Sequence, residues 1–272
     1  MVEACRAAGV TLGTAFMMRL SAQHQAARSM IARGQLGKLV YGRAQLSCWY
    51  PPLQGAWRQD PALGGGGSLI DMGGHCIDLL EMFFGDVAAV SCRIGNLVHS
   101  YRSEDSAVAL VEFASGASAT VDSFFCIPDA SSRNALEIYG SGGSIIAEGT
   151  IGQSAEGRMV AHLSDPKAGY DAGQKRAESG GIEIAPPPLN TYQAEIEEFS
   201  RALQEKREPA VSARLGLRSQ EILAACCKSA RTGKRVELGG IPVGSAEEVR
   251  LGPFPVSGAA HGPPDHPSAV SR

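Results

Sequence analysis

A chain of 272 residues with 44% apolar content is long enough to bury one large core or two smaller ones. Its formal net charge of −3 argues against binding nucleic acid through a phosphate-neutralising surface. No run of about 18 apolar residues occurs, so no membrane-spanning helix is expected.

The chain opens with a short helical stretch over 2–8, closed by Gly9. Residues 10–17 alternate in the manner of a strand. A helix over 21–33 stops at Gly34 and Gly37, and 38–49 reads as a long strand. Residues 50–67 form a loop with Pro51, Pro52, Trp57, Arg58 and a run of four glycines, Gly64 to Gly67. After it, Leu69, Ile70, Ile77, Leu79, Leu80 and Phe83 recur at helical spacing, which predicts a helix over 68–84.

Five segments rich in Val, Ile, Ala, Ser and Phe follow, at 88–97, 105–113, 117–126, 134–140 and 143–148. Ser115-Gly116 and Ser141-Gly142-Gly143 supply turns between them, so these read as antiparallel strands joined by hairpins. Residues 150–188 are polar and Gly-rich with two weak strands, then come helices over 191–205 and 213–231 and a short strand at Arg235–Leu238. From 241 the chain is rich in Gly, Pro, Ser and Ala, which predicts a disordered tail. The fold class expected is α+β: a large, mostly antiparallel open sheet with helices on one face.

Seven cysteines are scattered without a C-x-x-C pair, and Met1 to Arg6 lack the pattern of a secretory signal. Reduced thiols, a cytoplasmic protein and no metal site are expected.

The pair most suggestive of chemistry is Asp71 and His75. On a helix they are i and i+4, so a carboxylate and an imidazole share one face about a turn apart. Such a pair can orient the ring and tune its basicity. Read blandly, it is an aspartate favoured at a helix N-terminus and a histidine satisfied in the core.

The ordered set of motifs resembles the Gfo/Idh/MocA family of NAD(P)-dependent oxidoreductases, from residue 1 to about 238. Gly13 to Arg19, His24, Gly34-x-x-Gly37, Trp57-Arg58, the glycine run, Asp71-x-x-x-His75, Asp78 and Glu104-Asp105 carry it. So do Phe113-x-x-Gly116, Ile138-x-Gly140-x-x-Gly143, Tyr192-x-x-Glu195-x-x-x-Phe199 and Ser229-Ala230-x-x-Gly233.

The resemblance implies hydride transfer between NAD or NADP and a sugar-like, polyol or carbonyl substrate. His75 would exchange a proton at the substrate oxygen and Asp71 would hold its network. Trp57, Arg58 and Tyr192 would approach the cofactor, and Arg19 and Asp78 the substrate. Each has a plainer alternative: packing and a surface charge for Trp57-Arg58, a helix-start aromatic for Tyr192, a loop-bonded carboxylate for Asp78.

The dinucleotide-binding glycine motif of the family is absent from this sequence; Gly140-Ser141-Gly142-Gly143 lies between strands rather than at a strand-to-helix turn. The resemblance therefore assigns 1–20 to a Rossmann-domain remnant of one helix and one strand. It assigns 21–240 to the substrate and oligomerisation domain, and 241–272 to the tail. A homo-oligomer formed through the open sheet face is implied. Without neighbouring strands the remnant is expected to expose Leu12, Phe16 and Met17 and an unpaired edge, giving poor solubility or self-association. The alternative function is a non-catalytic sugar-binding or oligomerisation domain.

Overall fold

The computed structural model describes residues 1–153, 157–164, 169, 172 and 181–239. Met1–Pro242 forms one compact unit, and the expected tail over 241–272 lies outside the described residues.

The helices are α1 (Val2–Ala7), α2 (Ala22–Ala32), α3 (Pro61–Gly64), α4 (Gly74–Phe84), α5 (Thr191–Gln204) and α6 (Ala213–Thr232). The strands are β1 (Leu39–Ser47), β2 (Val87–Gly95), β3 (Ser106–Phe113), β4 (Ser118–Phe124), β5 (Ala135–Gly140), β6 (Gly143–Glu148), β7 (Arg158–Leu163), β8 (Ile182–Glu183) and β9 (Val236–Glu237). Together they build one nine-stranded sheet in the order β8-β7-β6-β5-β1-β4-β3-β2-β9. Every pairing is antiparallel except β1 with β4, which is parallel. The large, mostly antiparallel sheet expected from the hairpin pattern is present.

Alternation gives the sheet two different faces. Ala44 and Leu46 of β1, Ala109 and Val111 of β3, and Ala119 and Val121 of β4 turn inward and are buried. Against them pack Leu79, Leu80, Phe83 and Phe84 of α4 with Ile222 and Leu223 of α6. The opposite face carries Tyr41, Arg43, Val108, Leu110, Thr120, Asp122, Glu137 and Tyr139. There Arg43 pairs with Asp122 at 2.9 Å and Glu137 at 3.4 Å, and Tyr41 bonds Thr120 at 2.8 Å.

Residues 10–17 do not form the strand their alternation predicts. Their pairing is a single bridge between Gly13 and Ser212, flanked by Thr14 N–H to Val211 O at 3.0 Å and Ala213 N–H to Leu12 O at 3.1 Å. A strand is completed by a neighbour, and one bridge leaves this stretch extended but not part of the sheet. It then tightens into a 3₁₀ turn, Met17–Leu20, which carries Met17 and Met18 into the core. Met17 is therefore buried rather than exposed; Leu12 and Phe16 are half-buried. The expected 50–67 loop also contains structure, a 3₁₀ turn at Trp57–Gln59 and the single turn of α3.

Candidate active site

The glycine run delivers the chain into a wide turn before α4. A Cβ on Gly67 would lie 2.0 Å from the backbone oxygen of Glu104, so only glycine permits this approach. That oxygen accepts from Ser68 N–H at 3.1 Å, and the Glu104 carboxylate accepts from Leu69 N–H at 3.1 Å. Glu104 thus caps the first turn of the segment carrying Asp71 and His75. Its neighbour Asp105 accepts from the backbone N–H groups of Leu97, Val98 and His99, each at 2.8 Å, and fixes the loop before β3. The sequence marks these two acids as a motif without indicating that they hold the glycine run in place.

The expected continuous helix over 68–84 begins as a π turn at Leu69–Gly73 and becomes α-helical at Gly74. Such a widened turn often accompanies function. Within it Asp71 accepts a hydrogen bond from Arg58 Nε at 2.7 Å. Arg58 lies 4.3 Å over the ring of Trp57, which is half-exposed. The Asp71 hydrogen bond raises the affinity of Arg58 for its proton.

The loop presenting Trp57 and Arg58 is tied down on both sides. Gln59 donates to Pro51 O at 2.7 Å and accepts from Leu53 N–H at 3.0 Å, while Asp60 caps α3 through Ala62 N–H at 3.0 Å and pairs with Arg102 at 3.0 Å.

His75 lies in the same cluster, with Phe16 edge-on at 5.8 Å. No hydrogen bond joins it to Asp71 among the described residues. Its Nδ1 is enclosed without a partner. Burial pulls its pKa below the usual histidine value, and the field of Asp71 opposes this only in part. Cys48 stands near Asp71 and Arg58, and burial, with Asp129 and Asp71, pushes its thiol up to about 11, so it stays protonated.

Arg19 and Asp78 face each other rather than open space. Arg19 Nε lies 2.7 Å from both carboxylate oxygens of Asp78, and Nη2 donates to the Asp78 backbone oxygen at 3.1 Å. The pair fastens the Met17–Leu20 turn to α4, three residues beyond His75. Burial nonetheless holds Asp78 above the carboxylate range, at about 6. Tyr192 is exposed at the start of α5, which Asn190 caps. It makes no hydrogen bond or ring contact with the Asp71–His75 cluster among the described residues.

The glycine turn Gly140–Gly143 is not a cradle for a dinucleotide pyrophosphate. A Cβ on Gly140 would meet Leu36 O at 2.2 Å, and one on Gly142 would meet Gly37 N at 3.1 Å. These glycines let the β5–β6 turn pack on the end of α2, where Gly142 N–H donates to Leu36 O at 2.8 Å. Among the described residues no group of three or more His, Cys, Asp or Glu is arranged to hold a metal ion. No helix there is long and apolar enough to cross a membrane.

Comparison with known proteins agrees with this architecture. Residues 24–146 match the GFO/IDH/MocA C-terminal domain. The 1,5-anhydro-D-fructose reductase of Ensifer adhaerens is 28% identical over 240 residues, 88% of this chain and 67% of the relative. The D-apiose dehydrogenase of Paraburkholderia graminis is 28% identical over 255 residues, 88% of this chain and 62% of the relative. Among solved structures, aldose-aldose oxidoreductase from Caulobacter crescentus, complexed with glycerol, superposes with a TM-score of 0.73 at 25% identity, covering 87% of this chain and 67% of that one. Levoglucosan dehydrogenase in complex with NADH shares the fold, with a TM-score of 0.72 at 20% identity over 85% of this chain and 67% of that one. The chain thus spans about two thirds of the length of the relatives it matches. The sheet, the segment that carries Asp71 and His75 and these likenesses together make the chain similar to oxidoreductases of the Gfo/Idh/MocA family, whose C-terminal domain residues 24–146 match.

Proposed function

We propose that this chain supplies the substrate-binding and proton-handling part of an oxidoreductase that moves hydride between NAD(P) and a sugar-like or polyol substrate. The observation that carries this reading is the gathering of His75, Asp71, Arg58 and Trp57 at one end of α4, behind a glycine run that Glu104 holds in place. A nicotinamide nucleotide supplies the hydride in such chemistry. The Gly140–Gly143 turn does not fit its pyrophosphate, and this chain's part is to meet the substrate oxygen through His75. Asp71 and Arg58 hold the wall of the site, and Trp57 offers an apolar face for a sugar ring or a nicotinamide. Tyr192 is a more distant candidate at the cofactor end. Arg19 and Asp78 act on the substrate by keeping α4 in position.

The relatives' names favour a carbohydrate carbonyl or hydroxyl. A cytoplasmic setting agrees with seven free thiols. Self-association through the outer sheet face agrees with exposed Val108, Leu110 and Tyr139 there.

The packing of the Gly140–Gly143 turn against Leu36 and Gly37, where a phosphate would need room, favours one second reading, a sugar-binding or oligomerisation domain without catalysis. Saturation-transfer NMR against a panel of aldoses and polyols tests both. Transfer to a sugar that is lost in His75→Ala supports the site. No transfer to any sugar leaves only the oligomerisation domain. Calorimetric titration with NADH and NADPH is expected to give no micromolar affinity for this chain, and a micromolar value overturns the division of labour.

A further inference from the structure

In this site the carboxylate and the imidazole that are one turn apart do not bond to each other. The Asp71 carboxylate accepts from Arg58 at 2.7 Å. The imidazole is left with Nδ1 enclosed and without a partner and Phe16 edge-on at 5.8 Å, while Nε2 is not among the enclosed unpartnered atoms of the described residues. We propose that His75 meets its ligand as a neutral imidazole with the proton on Nε2, donating a hydrogen bond to a substrate oxygen, and that Arg58 keeps it so by engaging Asp71. The proposal deepens the reading of His75 as the residue that meets the substrate.

The tautomer follows from burial. A proton on Nδ1 would be a buried donor with no acceptor, a cost that a proton on Nε2 avoids. That difference favours the Nε2–H form by about tenfold or more. Protonating both nitrogens would bury an unpaired N–H and a charge together, which agrees with the direction in which burial moves this residue.

The charged and titratable groups around it, element by element, leave Asp71 as the one whose field reaches the ring. Asp78 on its own helix and Arg19 from the Met17–Leu20 turn neutralise each other. Glu195 of α5 lies beside the backbone of Phe16. Arg218 of α6 is occupied with Glu81 and Glu221, and Cys48 next to β1 stays a thiol. Arg58, at 2.7 Å from Asp71, offsets that last negative field. A neutral donor of this kind polarises a carbonyl oxygen or anchors a hydroxyl as the substrate arrives.

The test is a long-range 1H–15N correlation spectrum of the histidine rings of the whole chain, with His75 assigned by its loss in His75→Gln. The expected pattern has the proton on Nε2, Nδ1 bare and a titration midpoint below the ordinary 6.5. Arg58→Met is expected to raise the midpoint by about one pH unit, by freeing Asp71, and Arg58→Lys to leave it near the parent value. Asp71→Asn, which needs no change in the 57–59 turn, is expected to lower it while the tautomer stays the same. A dominant Nδ1–H form, a midpoint at or above 6.5, or a midpoint indifferent to Arg58→Met overturns the proposal. The spectrum is read without nucleotide or turnover, so its failure and the failure of the hydride-transfer reading register separately.

Discussion

Removing Arg19 separates a structural pair from a substrate subsite. In Arg19→Met the Asp78 carboxylate, 3% exposed, loses both 2.7 Å contacts, and the Asp78 backbone oxygen loses the hydrogen bond that Arg19 Nη2 donates. Breaking a buried pair by deleting one partner costs about 3–5 kcal/mol, because the remaining charge stays desolvated. At roughly 2–4 °C per kcal/mol for a domain of this size, the melting point should fall by about 6–20 °C.

The loss should depend on pH, with a definite sign. Asp78 sits at about 6 in the fold against 3.8 ordinarily, so between these values the folded state binds its proton more tightly than the unfolded chain. This group therefore weighs against the fold increasingly as pH rises from about 4 to about 6, reaching about 3 kcal/mol above that window. Without Arg19 the carboxylate rises further, so the variant should recover much of its deficit at pH 5, where Asp78 takes a proton and becomes neutral. Arg19→Met/Asp78→Leu should restore most of the stability at pH 7, since an apolar pair of similar volume replaces the ions. Thermal unfolding by circular dichroism at pH 5 and pH 7 measures all of this. A variant within about 1 kcal/mol of the parent at both pH values would refute the structural reasoning and return Arg19 to the substrate side.

His24 moves the other way: burial drops it from 6.5 to about 4, so the unfolded chain binds its proton more tightly and about 3 kcal/mol of stability is lost as pH falls through that interval. His24→Gln should flatten that part of the stability curve, measured as the difference from the parent in urea titrations from pH 7 to pH 4. Gly67→Ala should lower stability by at least about 2 kcal/mol, since its Cβ would lie 2.0 Å from Glu104 O and the helix start must move; an unchanged denaturation midpoint would count against the Glu104 clamp. Val108→Lys with Leu110→Lys on the outer sheet face should leave the melting point within about 0.5 kcal/mol of the parent and shift sedimentation toward the monomer. An unchanged sedimentation profile would place self-association elsewhere or nowhere.

What could be read from the sequence was what is decided locally. The hairpins at Ser115-Gly116 and Ser141-Gly142-Gly143 were legible because alternation and turn residues lie side by side, and α4 because its apolar positions repeat at 3.6 residues. The parallel pairing of β1 with β4 carries no local signal; Tyr41 and Ser118 must meet across a long stretch of chain. Val10 and Leu12 alternate as a strand does, but among the described residues the stretch bridges Ser212 alone, and alternation cannot report a missing neighbour.

The same limit governs the site. Spacing of four residues brings Asp71 and His75 near each other, yet spacing states who is near, not who competes. Arg58, thirteen residues earlier, offers Asp71 a charge-assisted hydrogen bond, roughly twice as strong as a neutral one. A partly buried neutral imidazole has less to offer in return. The carboxylate therefore goes to the guanidinium, and the chemistry open to His75 is set by a contact between a loop and a helix that periodicity does not encode.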